Sequence, residues 1–387
     1  MKRSLLSARP FFRCLFTVLW VLIIPLQVQA KETETDVDAY IRQQAENYDM
    51  EEIERGFSEL FPGYQIDTQE LFSLILQGKV LTACSRFFCG LKEGILGELS
   101  GMKEMLVSIL VIGIVSSLFS NFSDIFAGQQ VSQVGFYFLY LFLMAVLTRA
   151  FVFGAEEAVG TMENIVLFVK LFIPAWFLSV GAAAGSATAV FYYQVMLLAA
   201  YLVESFLLAV LVPFIYSYVI MALLNGIWAE ERLTLLLEFM KKGIEFALKI
   251  AMGVITGLSL VQSVIVPVID GLKISALRKA VSAIPGIGGV AEGVTELVIG
   301  SAVLIKNSMG ILLLVLLFGI CLVPLFKILI VTCLVKLGAA LTGIISDKRI
   351  SGCSDKVGEG CFLLFRCLFT ATALFLIVVG VVAYTIR

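Results

Sequence analysis

Long apolar runs restrict the fold of this chain more than any other feature. The candidate runs cover 105–126, 132–153, 163–182, 187–211, 211–229, 244–268, 309–334 and 361–386. Each is close to the roughly 20 apolar residues that a helix needs to cross a bilayer. Inside a bilayer the backbone must satisfy its own hydrogen bonds, and a helix does this within one segment. We therefore predict an all-α polytopic membrane protein with about seven to nine transmembrane helices.

The region from Ala187 to Trp228 is too long for one span, and Pro213 is its only interruption. We expect two spans joined by a tight turn. One long kinked helix is the alternative, and it lowers the number of spans by one. Loop charges do not settle the orientation of these spans, although the basic residues of 270–281 favour a cytoplasmic location for that stretch.

The first 30 residues have the three parts of a secretory signal. Basic residues precede the apolar stretch Cys14–Val28, and Val28 and Ala30 occupy the small-residue positions before a cleavage site. We predict that 1–30 is a signal peptide, with an uncleaved anchor as the alternative. An acidic extracytoplasmic and amphipathic segment over 31–101 and a multispan transmembrane domain over 102–387 would follow. Within the former, 71–101 is expected to lie on the outer membrane surface or to pack on neighbouring helices.

The composition excludes several classes of chemistry. The 387 residues contain no histidine, which removes imidazole-dependent nucleophile systems and histidine metal sites. The eight cysteines form no C-x-x-C pair, so we interpret them as small apolar residues in membrane helices, with a Cys84–Cys89 disulfide as an alternative. The net charge of −2 gives no sign of a nucleic-acid partner. We predict no enzyme activity, no metal and no cofactor.

Charged residues inside the apolar runs are the first candidate functional positions. These are Lys170, Glu204, Lys249, Lys306, Lys327, Lys336 and Arg366. An unpaired charge at the centre of a bilayer costs about 2.5–3.5 kcal/mol on insertion scales, so each should face a partner, a cavity or the interface. A polar path through the helices is the functional interpretation. Local pairing, as between Glu245 and Lys249, and snorkelling of terminal lysines are the alternative.

Glycines four residues apart are a second signal. The pairs Gly181–Gly185, Gly253–Gly257 and Gly289–Gly293 lie in or beside apolar runs. Two glycines on one helical face let a neighbouring backbone approach closely, which is a common mode of helix association in lipid. We predict that these pairs are helix-packing positions.

The segment Ala283–Asn307, "AIPGIGGVAEGVTELVIGSAVLIKN", interrupts the apolar runs. It lacks the Lys-Ser/Thr that ends a phosphate-binding loop, and no strand precedes it, so a nucleotide site is excluded. Pro285, Gly286 and Gly288 favour a turn or a helix start, because proline restricts φ and glycine permits positive φ. The pattern predicts a broken or re-entrant element near 283–307.

A helix is expected over Gly289–Asn307, the second part of this element. Gly293 and Gly300 share one face with Gly289, and Glu292 and Glu296 share another. The small face should pack tightly against protein, and the two carboxylates need water or a cation. The break before this helix points the same way, because irregular backbone at membrane depth is tolerated only in protein or along a cavity. A plain amphipathic helix at the membrane interface is the alternative.

Three consecutive stretches, "AIPGIGGVAEGVTELVIGSAVLIKNSMG", "CLVPLFKILIVTCLVKLGAAL" and "ISDKRISGC", resemble the C-terminal half of the stage III sporulation protein AE family of endospore-forming bacteria. The order of signal, acidic segment and multispan region is similar to the family as well. The positions that carry the resemblance are Ile284, Pro285, Gly288, Gly289, Glu296, Gly300, Leu304, Ile305, Lys306, Asn307, Gly310, Pro324, Lys327, Asp347, Lys348 and Arg349. Gly286 departs from the pattern, because a bulkier apolar residue is expected there.

The resemblance implies a membrane subunit of a channel or feeding-tube complex that is similar to specialised secretion systems. This complex would link the mother cell and the forespore and support late forespore development. The implied partners are other membrane proteins of the same operon, a forespore membrane protein and the lipid bilayer, and the implied location is the mother-cell membrane around the forespore. A stand-alone secondary transporter that uses the break at Pro285–Gly289 is the alternative. The predicted structural or pore-forming positions are Pro285, Gly286, Gly288, Gly289, Glu292, Gly293, Glu296, Gly300, Lys306, Asn307, Lys327, Asp347 and Arg349.

Overall fold

The computed structural model describes residues 68–87, 107, 111, 114–115, 129–184, 187–227, 233–282, 288–345 and 348–385. Its helices are α1 (Thr68–Leu76), α2 (Gln129–Ala184), α3 (Ala187–Phe206), α4 (Val212–Asn225), α5 (Thr234–Ser282), α6 (Gly288–Ile345) and α7 (Lys348–Thr385). A helical stretch over 80–87 follows α1. These described residues include no strand, so the predicted all-α class is confirmed for them.

Four segments are long and apolar enough to cross a membrane. They are Val134–Lys170, Gln194–Asn225, Asn307–Gly343 and Arg349–Gly380. The predicted number of seven to nine spans is not confirmed by these four. Most of the predicted span 105–126 lies outside the described residues, and 244–268, which lies in α5, is not one of the four.

The predicted spans 132–153 and 163–182 belong to a single helix, so their separation into two helices was wrong. Helix α2 has 56 residues and is therefore about 84 Å long at 1.5 Å per residue. The intervening sequence "GAEEAVGTME" contains alanine, glutamate and methionine, which favour helix, and no proline. Its two glycines, Gly154 and Gly160, weaken the helix but do not end it.

The region 187–225 is also continuous, as in the long-helix alternative, and the expected tight turn is absent from it. The π-helical residues Leu207–Leu211 join α3 to α4. Pro213 lies in the first turn of α4, has no N–H, and would clash with a carbonyl four residues earlier in a regular helix. The N–H of Val212 donates to the carbonyl of Leu207, five residues back, which is the wider π spacing.

Helices α2–α7, together with the π segment, form a bundle. Helices α6 and α7 are an antiparallel hairpin at its centre. Their mutual contact is the most extensive in the described structure, and α2 packs on both. Helices α4 and α5 pack on α7. The interior of this arrangement is apolar, with Leu312, Leu316 and Leu317 of α6 and Leu364 and Leu368 of α7 fully or almost fully buried.

One end of the bundle is organised around Tyr140 of α2. Its hydroxyl donates to the carbonyl of Leu223 on α4 and lies 3.1 Å from Sγ of Cys353 on α7. A Cβ at Gly226 would overlap this tyrosine, so glycine permits the close approach there. The N-terminal ends of α2 and α7 and the C-terminal end of α4 therefore lie together.

Helix α1 packs on α6. Its apolar residues Leu71, Phe72 and Ile75 are buried. This burial favours the alternative in which 71–101 packs on neighbouring helices over one in which it lies only on the membrane surface. Cys84 has a free thiol, so the alternative Cys84–Cys89 disulfide is not formed. The signal peptide over 1–30 lies outside the described residues, and the domain boundaries stay predictions.

Candidate functional site

Most predicted positions lie on one helix, α6. It begins at Gly288, one residue before the predicted start, and continues to Ile345, so the predicted end at Asn307 was wrong. The residues after Asn307 are apolar and contain no helix stop before Pro324, which lies inside α6. The predicted positions on α6 are Gly288, Gly289, Glu292, Gly293, Glu296, Gly300, Lys306, Asn307 and Lys327. Pro285, Gly286 and Asp347 lie outside the described residues, and the break itself stays a prediction.

Asn307, Lys327 and Arg349 do not form one site. Lys327 follows Asn307 by 20 positions in α6, which corresponds to about 30 Å along the helix. The Oδ1 atom of Asn307 is buried and accepts no hydrogen bond within the described part of the chain. Arg349 is at the start of α7, where its guanidinium lies 3.8 Å from the ring centroid of Phe136.

An ion pair between Lys327 and Glu157 joins α6 to α2. Nζ of Lys327 lies 3.2 Å from both carboxylate oxygens of Glu157. The two side chains are only 15% and 26% exposed. Partial burial raises the cost of separating such a pair above that of a surface ion pair, because an unpaired charge would remain in apolar surroundings.

A second polar group lies where α4, α5 and α7 meet. Nζ of Lys241 on α5 lies 2.6 Å from Oε1 of Glu359 on α7. The hydroxyl of Tyr218 on α4 donates to the other oxygen, Oε2, at 3.0 Å. Both carboxylate oxygens of Glu359 are therefore engaged, each by a different helix.

Two further ion pairs extend this polar group along α7. Arg366 contacts Glu245 of α5 at 2.9 Å, and Asp355 contacts Lys336 of α6 at 3.1 Å. Glu245 of α5 therefore forms its ion pair with Arg366 of another helix. The local ion pair between Glu245 and Lys249 that the sequence suggested is not formed among the described residues. Lys249 is exposed.

Asp355, Glu359 and Arg366 thus form a polar seam along α7, in which each residue contacts an oppositely charged residue of another helix. The seam extends from Asp355 to Arg366, which are 11 positions apart in α7, or about 17 Å. Its charges are compensated in pairs, so the seam specifies which helices adjoin α7 and in which register. Within the described residues, no group of three or more Cys, Asp or Glu side chains is arranged to hold a metal ion.

Glycines beside Glu359 allow this close arrangement. A Cβ at Gly360 would lie under 3.0 Å from Cγ2 of Val219 on α4, and one at Gly358 would lie 2.7 Å from Cγ of Lys336 on α6. By contrast, a Cβ at Gly253 or Gly257 would meet no atom within 4 Å, so the predicted packing role of that pair was wrong within the described chain. The spacing rule failed because it identifies a small helical face without showing whether another helix covers it.

Sequence reasoning missed the partners of the predicted charges. Glu157, Lys241 and Glu359 lie between or at the edges of the apolar runs, where a charge does not stand out. The available signal was the G-E-G sequence around Glu359, in which two small residues flank a carboxylate. Tyr218 had no comparable signal, because a tyrosine in a membrane helix is common at interfaces.

Two of the predicted charges have surroundings of a different kind. Nζ of Lys170 on α2 lies 5.6 Å from the ring centroid of Tyr201 on α3, a cation–π contact. Glu204, one turn further along α3, is fully buried.

A family model described as Stage III sporulation protein AE matches residues 66–385. A protein of Bacillus subtilis (strain 168) named Stage III sporulation protein AE is 21% identical over 280 residues, which cover 72% of this chain and 70% of that protein. No solved structure matches the chain.

Proposed function

Because the chain belongs to the stage III sporulation protein AE family, we propose that it is a membrane subunit of a channel-like, secretion-like complex between the mother cell and the forespore. Family membership makes it a sporulation protein, and its four long apolar helical segments indicate a membrane protein. The mother-cell membrane, the channel complex and a structural rather than catalytic role are parts of the proposal.

The length of α2 is the observation that supports a complex. A bilayer has a hydrocarbon core of about 30 Å, whereas α2 is about 84 Å long and contains both apolar runs 132–153 and 163–182. When one run lies in a bilayer, the other extends beyond it along the same helix. Apolar surface outside that bilayer requires cover from another protein or a second membrane. A subunit in an assembly between two membranes meets this requirement.

Partner proteins of the same membrane assembly would provide the cover. Large apolar side chains such as Phe138 and Phe142 in the first run and Leu167 in the second are exposed along α2. The catalytic chemistry of the complex, if any subunit has it, would belong to another member.

Photo-cross-linking in sporulating cells tests this proposal. A photoreactive amino acid at position 167 should form adducts with other proteins, because Leu167 is 46% exposed on the second apolar run. The same group at position 168 is the matched control, since Phe168 is fully buried and should yield no adducts with other proteins. The same group at position 142 probes the first run, because Phe142 is 65% exposed. Adducts with lipid alone at both positions 142 and 167 would overturn the argument from helix length.

The alternative is a stand-alone secondary transporter. Purification from sporulating cells by a tag on this chain distinguishes the two. We expect other membrane proteins to copurify. Recovery of this chain alone, together with saturable solute uptake by vesicles that contain it, would instead establish the transporter.

A further inference from the structure

Glu204 stands apart from the other acidic residues of the bundle. Its side chain is 0% exposed, and neither carboxylate oxygen has a hydrogen-bond partner within the described residues. Glu157, Glu245 and Glu359, in contrast, each contact a lysine or arginine. Glu204 lies ten residues, or about 15 Å, into the apolar segment Gln194–Asn225, so it is deep in a candidate membrane span.

The groups that face Glu204 from α6 and α7 provide no compensating charge. The titratable side chains within electrostatic range are the thiols of Cys321 on α6 and Cys367 on α7, both buried. Arg366 precedes Cys367 in the sequence, but its guanidinium contacts Glu245 of α5.

Three basic residues of α2 and α5 whose side chains are described also have other surroundings. Lys170 of α2 lies over the ring of Tyr201, one turn before Glu204. On α5, which packs on α3, Lys241 contacts Glu359, and Lys249 is exposed. Among the described residues, therefore, no basic side chain neutralises the Glu204 carboxylate.

We propose that Glu204 is a proton-binding site within the membrane-embedded bundle. An ionised carboxylate without a partner is very costly in apolar surroundings, so it must be neutralised by a cation or a proton. A sodium ion requires several oxygen ligands, whereas no oxygen or nitrogen atom of the described residues bonds to this carboxyl group, and the titratable groups that it influences are two thiols, which are soft ligands. A proton needs no coordination shell. The carboxyl group therefore holds a proton in the conformation described here.

The π segment next to Glu204 gives this site a means of responding to proton loss. Because the N–H of Val212 bonds to the carbonyl of Leu207 and Pro213 has no N–H, the carbonyl of Leu208 has neither an α-type nor a π-type backbone donor. A helix with one displaced hydrogen bond can shift its register at lower cost than a regular one, and π segments are frequent at functional sites. Release of the proton would favour a shift of α3 relative to α4 that brings water to the carboxylate. This inference is independent of whether the protein belongs to a channel complex.

Labelling with dicyclohexylcarbodiimide tests the proposal, because this apolar reagent modifies protonated carboxyl groups in membranes. The full chain in lipid nanodiscs should be labelled at Glu204, as located by mass spectrometry, and labelling should decline as the pH is raised. The variant Glu204→Gln should lose this label. Glu359 is the internal control: its carboxylate is paired with Lys241 and should stay unlabelled. Labelling at Glu204 that stays constant as the pH is raised, or labelling that Na⁺ suppresses at constant pH, would overturn the assignment of a proton.

Thermal unfolding provides a second readout that does not depend on the reagent. If the folded chain holds a proton that the unfolded chain releases, the stability of the wild-type protein falls as the pH is raised. Glu204→Gln, which replaces one neutral group by another, should retain the fold and show a smaller decline. Leu364→Ala, which destabilises the buried core of the bundle without removing a titratable group, is the matched control and should leave the slope with pH unchanged. Equal slopes for the wild-type protein and Glu204→Gln would contradict the proposal.

Discussion

Replacement of Gly360 by alanine should destabilise the bundle through a single contact. The new Cβ would lie under 3.0 Å from Cγ2 of Val219, a separation that Cβ atoms essentially never reach. Val219 is buried on α4 and, as a β-branched residue in a helix, has one strongly preferred χ1 rotamer, so it cannot turn aside without strain. Helices α4 and α7 must separate instead, which weakens the hydrogen bond between Tyr218 and Glu359.

The magnitude is the difference between two opposing effects. Alanine is favoured over glycine in a helix by about 0.8–1.0 kcal/mol, whereas overpacking of a core costs about 1–3 kcal/mol. Gly380 of the same helix supplies the matched control, because a Cβ there would meet no atom within 4 Å. Gly380→Ala should therefore stabilise the protein slightly, and Gly360→Ala should be about 1–3 kcal/mol less stable than that control.

The assay is the free energy of unfolding in mixed detergent micelles, followed by circular dichroism at increasing fractions of denaturing detergent. In a double-mutant cycle, Val219→Ala removes Cγ2 and should recover part of the loss, with a coupling of about 0.5–3 kcal/mol. Equal stability of Gly360→Ala and Gly380→Ala, or strict additivity with Val219→Ala, would refute the claim that glycine at 360 permits the approach of α4 to α7.

Three other predictions concern separate parts of the chain. Lys327→Met should lower the free energy of unfolding by about 1.5–3 kcal/mol, because Glu157 loses its charged partner. Glu157→Leu in the same chain should restore most of the lost stability. Failure of this rescue would contradict the ion-pair argument. Glu292→Gln with Glu296→Gln should lower the yield of heat-resistant spores while immunoblots still detect the protein; an unchanged yield would favour the interfacial helix. Burial raises the pKa of the Cys84 thiol, so the reactive thiolate is scarcer in the folded chain. Maleimide labelling of Cys84, followed by mass spectrometry, should be slower in the folded than in the unfolded protein and should accelerate as the pH rises. Equal labelling rates for the folded and the unfolded protein would disprove the effect of burial on this thiol.

The fold class followed from the sequence, but the number and limits of the helices did not. Apolar runs identify the residues that must avoid water, and apart from 105–126, most of which lies outside the described residues, these runs lie in α2–α7. The same runs contain no signal for where a helix turns back, unless proline or glycine occurs in a suitable place. Residues 154–163 are polar enough to suggest a loop, yet their helix propensity keeps α2 continuous.

In the candidate site, too, the sequence identified residues that matter but not their surroundings. Sequence reasoning identified Lys327, Lys336 and Arg366 as charges that require partners, and the structure provides a carboxylate for each. It also identified Glu204, whose carboxyl group has no polar partner in the described chain. From single-residue patterns these situations look alike, because the sequence pattern gives the residue and its depth in the span but not its partner.

The sequence by itself determined that this is a helical membrane protein of a sporulation family with charges that cannot remain alone in lipid. Only the tertiary structure decided that Glu359 joins α7 to Lys241 of α5 and Tyr218 of α4, and that Gly360 rather than Gly253 or Gly257 permits close packing. The physical reason is that hydropathy and helix propensity are local properties. The contacts of Glu359 instead join residues more than 100 positions apart, and they depend on which helical faces meet.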